Sequence, residues 1–235
     1  MFFVTTQSPA LNAVLPALGL TLLVLLGVGM TLLASRLLSG TVLRGVPSSF
    51  TLELPPYRRP QIGKVIVRSI CDRTLFVLGR AAAVAAPAGL IIWLLANLTV
   101  GDMTLLARFA AVLDPLGRLL GMDGVILLAF ILGFPANEIV IPILLMAYTA
   151  TGHLVDYESL ASLRLLLVDN GWTAVTAVCV LLFSLMHWPC STTLLTIYRE
   201  TKSAKWTAVG FLLPTLCGAL ACFTVATAAR LLGLG

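Results

Sequence analysis

Charge is the scarcest property of this chain. Asp, Glu, Lys and Arg make up 11% of its 235 residues, where an ordinary soluble domain carries about 25%. Residues 1–35 have no charged side chain, residues 81–101 have none, and residues 124–152 have only Glu138. With 59% hydrophobic residues and a mean hydropathy of +1.03, this shortage excludes a soluble globular domain and defines an integral membrane protein. Too little length remains for a large soluble domain as well. No stretch is rich in Ser, Gln or acidic residues, so no disordered tail is expected. Neither G-x-x-x-x-G-K-[ST] nor G-x-G-x-x-G occurs, so no nucleotide is expected on this chain. There is no C-x-x-C, and the five cysteines (Cys71, Cys179, Cys190, Cys217 and Cys222) are odd in number, four of them in apolar segments. They read as buried small side chains rather than a disulfide framework. The N-terminus lacks a basic n-region and its apolar run is too long for an h-region, which argues against a signal peptide. No Ser, Thr or Cys stands out as a nucleophile with a base and an orienting partner, so no enzyme is expected.

What charge there is lies in one place. The net charge is +5, and eight of the fifteen Lys and Arg fall between Arg36 and Arg80, offset only by Glu53 and Asp72. In a membrane protein such a cluster marks a cytoplasmic loop facing anionic headgroups. It is not a nucleic-acid signal here, and no nucleic-acid partner is expected.

Five hydrophobic segments follow one another. The first covers about 11–38, and Pro47, Pro55, Pro56 and Pro60 then forbid a continuous helix through 39–60. Residues 61–79 place Lys64, Arg68 and Asp72 on one helical face and Ile66, Val67, Ile70 and Val77 on the other, an interfacial pattern that a helix packed on its own bundle would also show. The second segment, 81–101, contains Pro87. Residues 102–123 read as one or two short helices at the opposite interface. The third is 124–152, followed by a polar loop over 153–170 with a short helix at 160–168. The fourth is 171–198, then a basic loop with Arg199, Lys202 and Lys205, and the fifth is 206–229.

The third segment decides the topology. If it crossed fully, the acidic 153–170 loop would be cytoplasmic and the basic 199–205 loop external, against the positive-inside rule twice. A re-entrant hairpin turning near residues 133–135 puts both loops on the expected side. The alternative is an extra crossing or half-crossing from residues 102–123.

Two constellations carry chemistry. In Gly133-Phe134-Pro135-Ala136-Asn137-Glu138, glycine and proline interrupt the segment beside its lone carboxylate. Broken helices at membrane depth free backbone groups to hold a substrate or ion, and an intramembrane carboxylate is costly enough to need a reason. Pro135 fits the first helical position, with Glu138 in the first turn as either a helix-stabilising carboxylate or a cation ligand helped by carbonyls over 132–134. The second is Met186-His187-Trp188-Pro189-Cys190-Ser191-Thr192-Thr193, which repeats the order aromatic, proline, then small and polar residues. Imidazole, thiolate and carboxylate together suit a first-row transition metal. Asn137, Glu138, Cys190 and His187 are the candidate ion contacts. The competing readings are a hydrogen-bonded structural His187, a packing role for Cys190, Met186 as core, and Ser191, Thr192 and Thr193 repairing the backbone around Pro189. Cys179 would share a face with Cys190 if the helix ran straight. Cys217 and Cys222 read as packing.

These residues, with Phe50-Thr51-Leu52-Glu53-Leu54-Pro55-Pro56-Tyr57-Arg58 before them and Tyr198-Arg199-Glu200-Thr201 and Lys205-Trp206 after, resemble the C-terminal membrane half of the bacterial ferrous iron transport protein B family over nearly the whole chain. The resemblance implies Fe²⁺ import across a prokaryotic inner (plasma) membrane by a multi-pass protein. Its second-gate cysteine corresponds to Cys190 and its polar pair to Asn137 and Glu138. It implies GTP only on an N-terminal GTP-binding portion, which with a first-gate motif would be missing or on a separate chain. Membrane lipid and copies of the chain itself are further expected neighbours. Many relatives have Ala-Lys-Glu where Ala136-Asn137-Glu138 stands, and an aromatic residue at His187.

The expected architecture is all-α integral membrane, about five hydrophobic segments, two of them discontinuous or re-entrant. Residues 1–60 would form the first transmembrane helix and cytoplasmic linker, and 61–235 a gate-type membrane domain. Two other readings stay open. One is a nucleoside or solute carrier using Trp93, Trp172 and Trp188. The other is a scaffold subunit in which Glu138 and Cys190 serve only packing.

Overall fold

The computed structural model describes residues 9–41, 63, 67, 75–149 and 160–233. The proline-rich linker and the basic amphipathic stretch over 61–79 lie largely outside them. The chain divides into two compact units, residues 18–83 and residues 1–17 with 84–235.

Helix α1 (Pro9–Thr41) continues through Pro16, and its residues 14–40 are long and apolar enough to cross a bilayer. Helix α2 (Phe76–Asn97) contains Pro87. A two-residue hairpin, β1 (Thr99–Val100) with β2 (Met103–Thr104), turns the chain into α3 (Leu105–Leu119). A sharp corner leads to α4 (Gly124–Leu132), a short 3₁₀ turn (Asn137–Ile139) and α5 (Val140–Thr149). Helices α6 (Leu160–Asp169), α7 (Ala174–Met186), α8 (Ser191–Thr201) and α9 (Ala204–Leu231) complete the described chain. The five expected segments are all present as apolar helices, two of them broken, and residues 102–123 form one helix rather than two. Length and composition alone give three spans among the described residues (in α1, in α7 with α8, and in α9), or four if the bent pair α3–α4 is one.

The third segment folds back on itself as a helical hairpin. At 1.5 Å per residue, α4 is about 14 Å long and α5 about 15 Å, each half of a hydrocarbon core of about 30 Å. Asp123, which caps α4 by accepting from the Ile126 N–H (2.6 Å), accepts with its other carboxylate oxygen from Tyr148 Oη near the end of α5 (2.5 Å). The start of one limb therefore meets the end of the other. Gly133 sits where the limbs diverge, and a Cβ there would run into Val140 Cγ2.

Local chemistry aims this hairpin. Helix α3 ends with Gly121 at φ 75°, its N–H on the Arg118 carbonyl (3.1 Å) and the Met122 N–H on that of Gly117 (2.9 Å), a glycine-terminated Schellman motif. Helix α6 ends the same way at Gly171 (φ 82°), with the Trp172 N–H on the Leu167 carbonyl (3.0 Å). The two turns deliver Asp123 and Trp172 to one place. There Trp172 Nε1 donates to Tyr148 Oη (2.9 Å), tying the hairpin base to the start of α7. Tyr148→Phe keeps the ring and removes both bonds. It is expected to cost about 1–3 kcal/mol, since a charged acceptor loses its donor, read as a lowered unfolding midpoint in detergent.

The core lies among α4, α5, α7 and α9. Phe130, Phe183, Ile126, Ile143, Leu144, Cys179 and Cys222 are fully buried, and among the described residues no polar or charged side chain is buried. Phe130 and Phe183 meet edge to face at 4.8 Å. Cys222 Sγ donates to the Cys179 carbonyl (3.2 Å), fastening α9 to α7, which is the packing role expected of Cys222.

Candidate ion site where two helix breaks meet

Helices α7 and α8 together make one span of 28 residues, Ala174–Thr201, interrupted near its middle. Helix α7 stops at Met186, and His187, Trp188, Pro189 and Cys190 are non-helical before α8 starts. Proline here removes a donor and clashes with the preceding turn. Cys190 has extended dihedrals (φ −60°, ψ 159°) as the capping residue of α8. Cys179 and Cys190 are thus on different helices, and the shared face expected for a straight helix does not exist. Met186 is buried, as expected of a core residue.

The hairpin tip reaches this break. The Ser191 N–H donates to the Phe134 carbonyl (2.9 Å), and Ser191 Oγ donates to that of Pro135 (3.4 Å). The repeated sequence pattern has a structural counterpart: Phe134 meets the Phe211 ring at 6.2 Å edge on, while Trp188 stacks on it at 5.8 Å. Both breaks therefore pack on one aromatic residue of α9.

Cys190 is half-buried. Its Sγ lies 3.1 Å from Thr192 Oγ1 and 3.2 Å from Thr193 Oγ1, at the positive end of α8. Two hydroxyls and a helix N-terminus suit a sulfur carrying negative charge. His187 Nδ1 lies 3.0 Å from the Ser184 carbonyl. A carbonyl only accepts, so Nδ1 carries the proton and Nε2 keeps a lone pair. Nε2, like Trp188 Nε1 and Asn137 Oδ1, is enclosed and has no hydrogen-bond partner among the described residues. A histidine held by one nitrogen to a carbonyl, with the other free, is the usual state of a metal-ligating imidazole.

The first break differs from expectation in two respects. Pro135 does not open the following helix. It lies in the bend, Ala136 is the cap, and the chain resumes as the 3₁₀ turn before α5. Pro142 lies in the first turn of α5, where backbone N–H groups have no partner within the helix and a missing one is tolerated. The carbonyls expected to be released are also engaged: that of Gly133 accepts from Ala136 N–H (3.0 Å) and that of Phe134 from Ser191, leaving each one lone pair. Glu138 is in the first turn, as expected, and its side chain is exposed. Asn137 is half-buried. Among the described residues no group of three or more His, Cys, Asp and Glu is gathered closely enough to hold a metal ion. Of the four candidates, the fold sets Cys190 directly at the tip contact and His187 in the aromatic cluster beside it. Sequence reasoning missed Ser191 as the residue joining the breaks and Phe211 as their shared support. Ser191 carried a signal, a small polar residue directly after Pro-Cys, whereas Phe211 carried none.

The fold and this site define a helical membrane protein in which a helical hairpin abuts a broken helix. Residues 78–204 match the gate family, described as nucleoside recognition, and residues 20–71 match the C terminus of ferrous iron transport protein B. The chain is 28% identical over 203 residues to the Fe(2+) transporter FeoB of Staphylococcus aureus (strain MSSA476), covering 82% of this chain and 28% of that protein. It is 31% identical over 168 residues to the Fe(2+) transporter FeoB of Synechocystis sp., covering 70% and 26%. It is 27% identical over 195 residues to that of Methanocaldococcus jannaschii, covering 77% and 28%. No solved structure matches it. The chain belongs to the gate family, and over most of its length it is similar to the C-terminal membrane region of ferrous iron transport protein B. It spans a little over a quarter of the length of these relatives.

Proposed function

We propose that this chain forms part of a ferrous-ion path across a prokaryotic plasma membrane, in which Cys190, Glu138, Asn137 and His187 contact the ion. The observation that carries the reading is the hydrogen bond from Ser191 to the Phe134 carbonyl. It brings the cysteine of one broken helix to the tip that precedes Asn137 and Glu138 on the other. Soft sulfur and a borderline imidazole suit Fe²⁺ over the hard cations Mg²⁺ and Ca²⁺. The names of the relatives agree. Four candidate contacts spread over two breaks make an incomplete cage, which suits an ion in transit. The remaining ligands would be water and the rest of the transporter, which also supplies GTP binding.

A nucleoside carrier is the second reading, favoured by the family description and by the unpartnered Trp188 Nε1. Two observations weigh against it. Trp188 is already stacked on Phe211, and Trp172 has committed its N–H to Tyr148.

Ser191→Pro tests the proposal. Proline is tolerated at the first position of a helix and the extended Cys190 before it is compatible, so α8 keeps its start while the bond to Phe134 is lost. In vesicles holding the full transporter, Fe²⁺ uptake is expected to fall about tenfold, a loss of about 1.4 kcal/mol. Unchanged Fe²⁺ uptake, or saturable uptake of a labelled nucleoside instead, would overturn it.

A further inference from the structure

Helix α8 is unusually polar for half of a membrane span: Ser191, Thr192, Thr193, Thr196, Glu200 and Thr201 fall within eleven residues. At 100° per residue, Thr192, Thr193, Thr196 and Glu200 occupy one arc of about 100°. Ile197, which packs on Gly210 of α9, and Ser191, which meets the hairpin tip, both lie outside this arc. Thr193, Thr196 and Glu200 are exposed, and Thr192 is half-buried. The stripe begins at Cys190, whose Sγ is within reach of the Thr192 and Thr193 hydroxyls. It runs about 15 Å to Glu200, half the hydrocarbon thickness, and ends beside Arg199 and Lys202, on the side that the positive-inside rule makes cytoplasmic.

Such a row is out of place against lipid. A carboxylate and a file of hydroxyls in a span are expected to face a protein interior or a water-filled passage. The hydrogen bonding also has a sign. Thr196 Oγ1 donates its one proton to the Thr192 carbonyl (2.9 Å), so this hydroxyl turns only lone pairs outward. That oxygen can accept from the water around a cation or ligate the cation itself.

Resting on the reading of Cys190 as an ion contact, we propose that Thr192, Thr193, Thr196 and Glu200 line the cytoplasmic half of the ion path, carrying the cation from Cys190 to the inner surface as it regains water. The facing wall comes from the part of the transporter outside this chain. The matched region is only 28% of the staphylococcal relative's length, and among the described residues α8 packs on α9 and the hairpin tip with this arc left open.

The test is thiol labelling of the full transporter in vesicles, with Thr196→Cys compared to Leu216→Cys, an exposed apolar position on α9. A membrane-impermeant cationic thiol reagent on the cytoplasmic side is expected to label Thr196→Cys at least about tenfold faster. Thr196→Val, of equal volume, is expected to lower Fe²⁺ uptake several-fold with an unchanged unfolding midpoint. Labelling of Thr196→Cys only by a lipid-soluble reagent would overturn the path. Oxidative cross-linking of Thr196→Cys between two copies would overturn the assigned wall. Uptake by Cys190→Ser keeps the two ideas apart. Full uptake with labelled Thr196→Cys sinks the Cys190 reading alone, and lost uptake with Thr196→Cys silent to the cationic reagent sinks the path alone.

Discussion

Cys190→Ser is expected to reduce Fe²⁺ uptake by the full transporter at least about tenfold while leaving the protein as stable as before. The two halves of that expectation have separate origins. Cys190 is the capping residue of α8, and serine is among the best helix caps, worth about 0.5–2 kcal/mol over a non-capping residue. The exchange therefore preserves the break and, if anything, strengthens it. A hydroxyl has nearly the size of the thiol but is a hard ligand and keeps its proton, so it cannot replace thiolate toward a first-row transition metal. Uptake and thermal unfolding should be measured on the same preparation. Full uptake would remove the soft-ligand role. Lost uptake with lost stability would show instead that sulfur is needed for packing, as a scaffold reading requires. Glu138→Gln is the companion variant. Glu138 is exposed, so its stability is expected to stay within about 0.5 kcal/mol and any loss of uptake can be assigned to charge.

The largest stability effect is expected at Gly124, where α3 and α4 cross. The pair is bent by 107°, and the crossing is closed by two glycines. A Cβ on Gly124 would run into the Ala110 carbonyl oxygen and lie 2.7 Å from the Asp114 nitrogen; one on Gly117 would be 2.6 Å from the Asp123 carbonyl carbon. These are backbone atoms and cannot rotate away. The Gly124 N–H also donates to Asp114 Oδ1 (3.1 Å), whose other oxygen pairs with Arg118 Nε (2.6 Å). Gly124→Ala must therefore part the helices. It is expected to cost about 3 kcal/mol, the upper end for overpacking, and to shift Asp123 away from Tyr148, so that uptake falls too. Gly89→Ala is the control: nothing lies within 4 Å of a Cβ there, and alanine in a helix is favoured by about 1 kcal/mol. Equal midpoints for the two variants would show that the crossing tolerates a methyl group.

The residues differ in how much they disclosed beforehand. Glu138 drew attention because a carboxylate in an apolar run is costly, and the breaks at Pro135 and Pro189 because each proline follows an aromatic residue and precedes small and polar ones, whereas Pro16, Pro87, Pro115 and Pro214 stand inside continuous helices. Counting charges in the flanking loops favoured the hairpin but left an extra crossing from residues 102–123 as the alternative. The exact use of Pro135 was not legible, since whether a proline opens a helix or precedes it depends on how the tip is held, and here Ser191, 56 residues away, holds it. The carbonyls near Gly133 read as released because the sequence does not show what donates to them. Cys179 read as a possible partner of Cys190 because a helical wheel assumes continuity that the break removes.

The sequence by itself determined the membrane setting, the five apolar segments and the sites of both breaks. All of these depend on composition, length and proline, which act locally. Only the tertiary structure decided that the third segment returns on itself, with Tyr148 closing on Asp123 and Trp172, and that the two breaks touch through Ser191 and Phe134. Those contacts join residues far apart in the chain. Burial leaves few donors for each acceptor, and which donor arrives is fixed by packing rather than by any neighbouring residue.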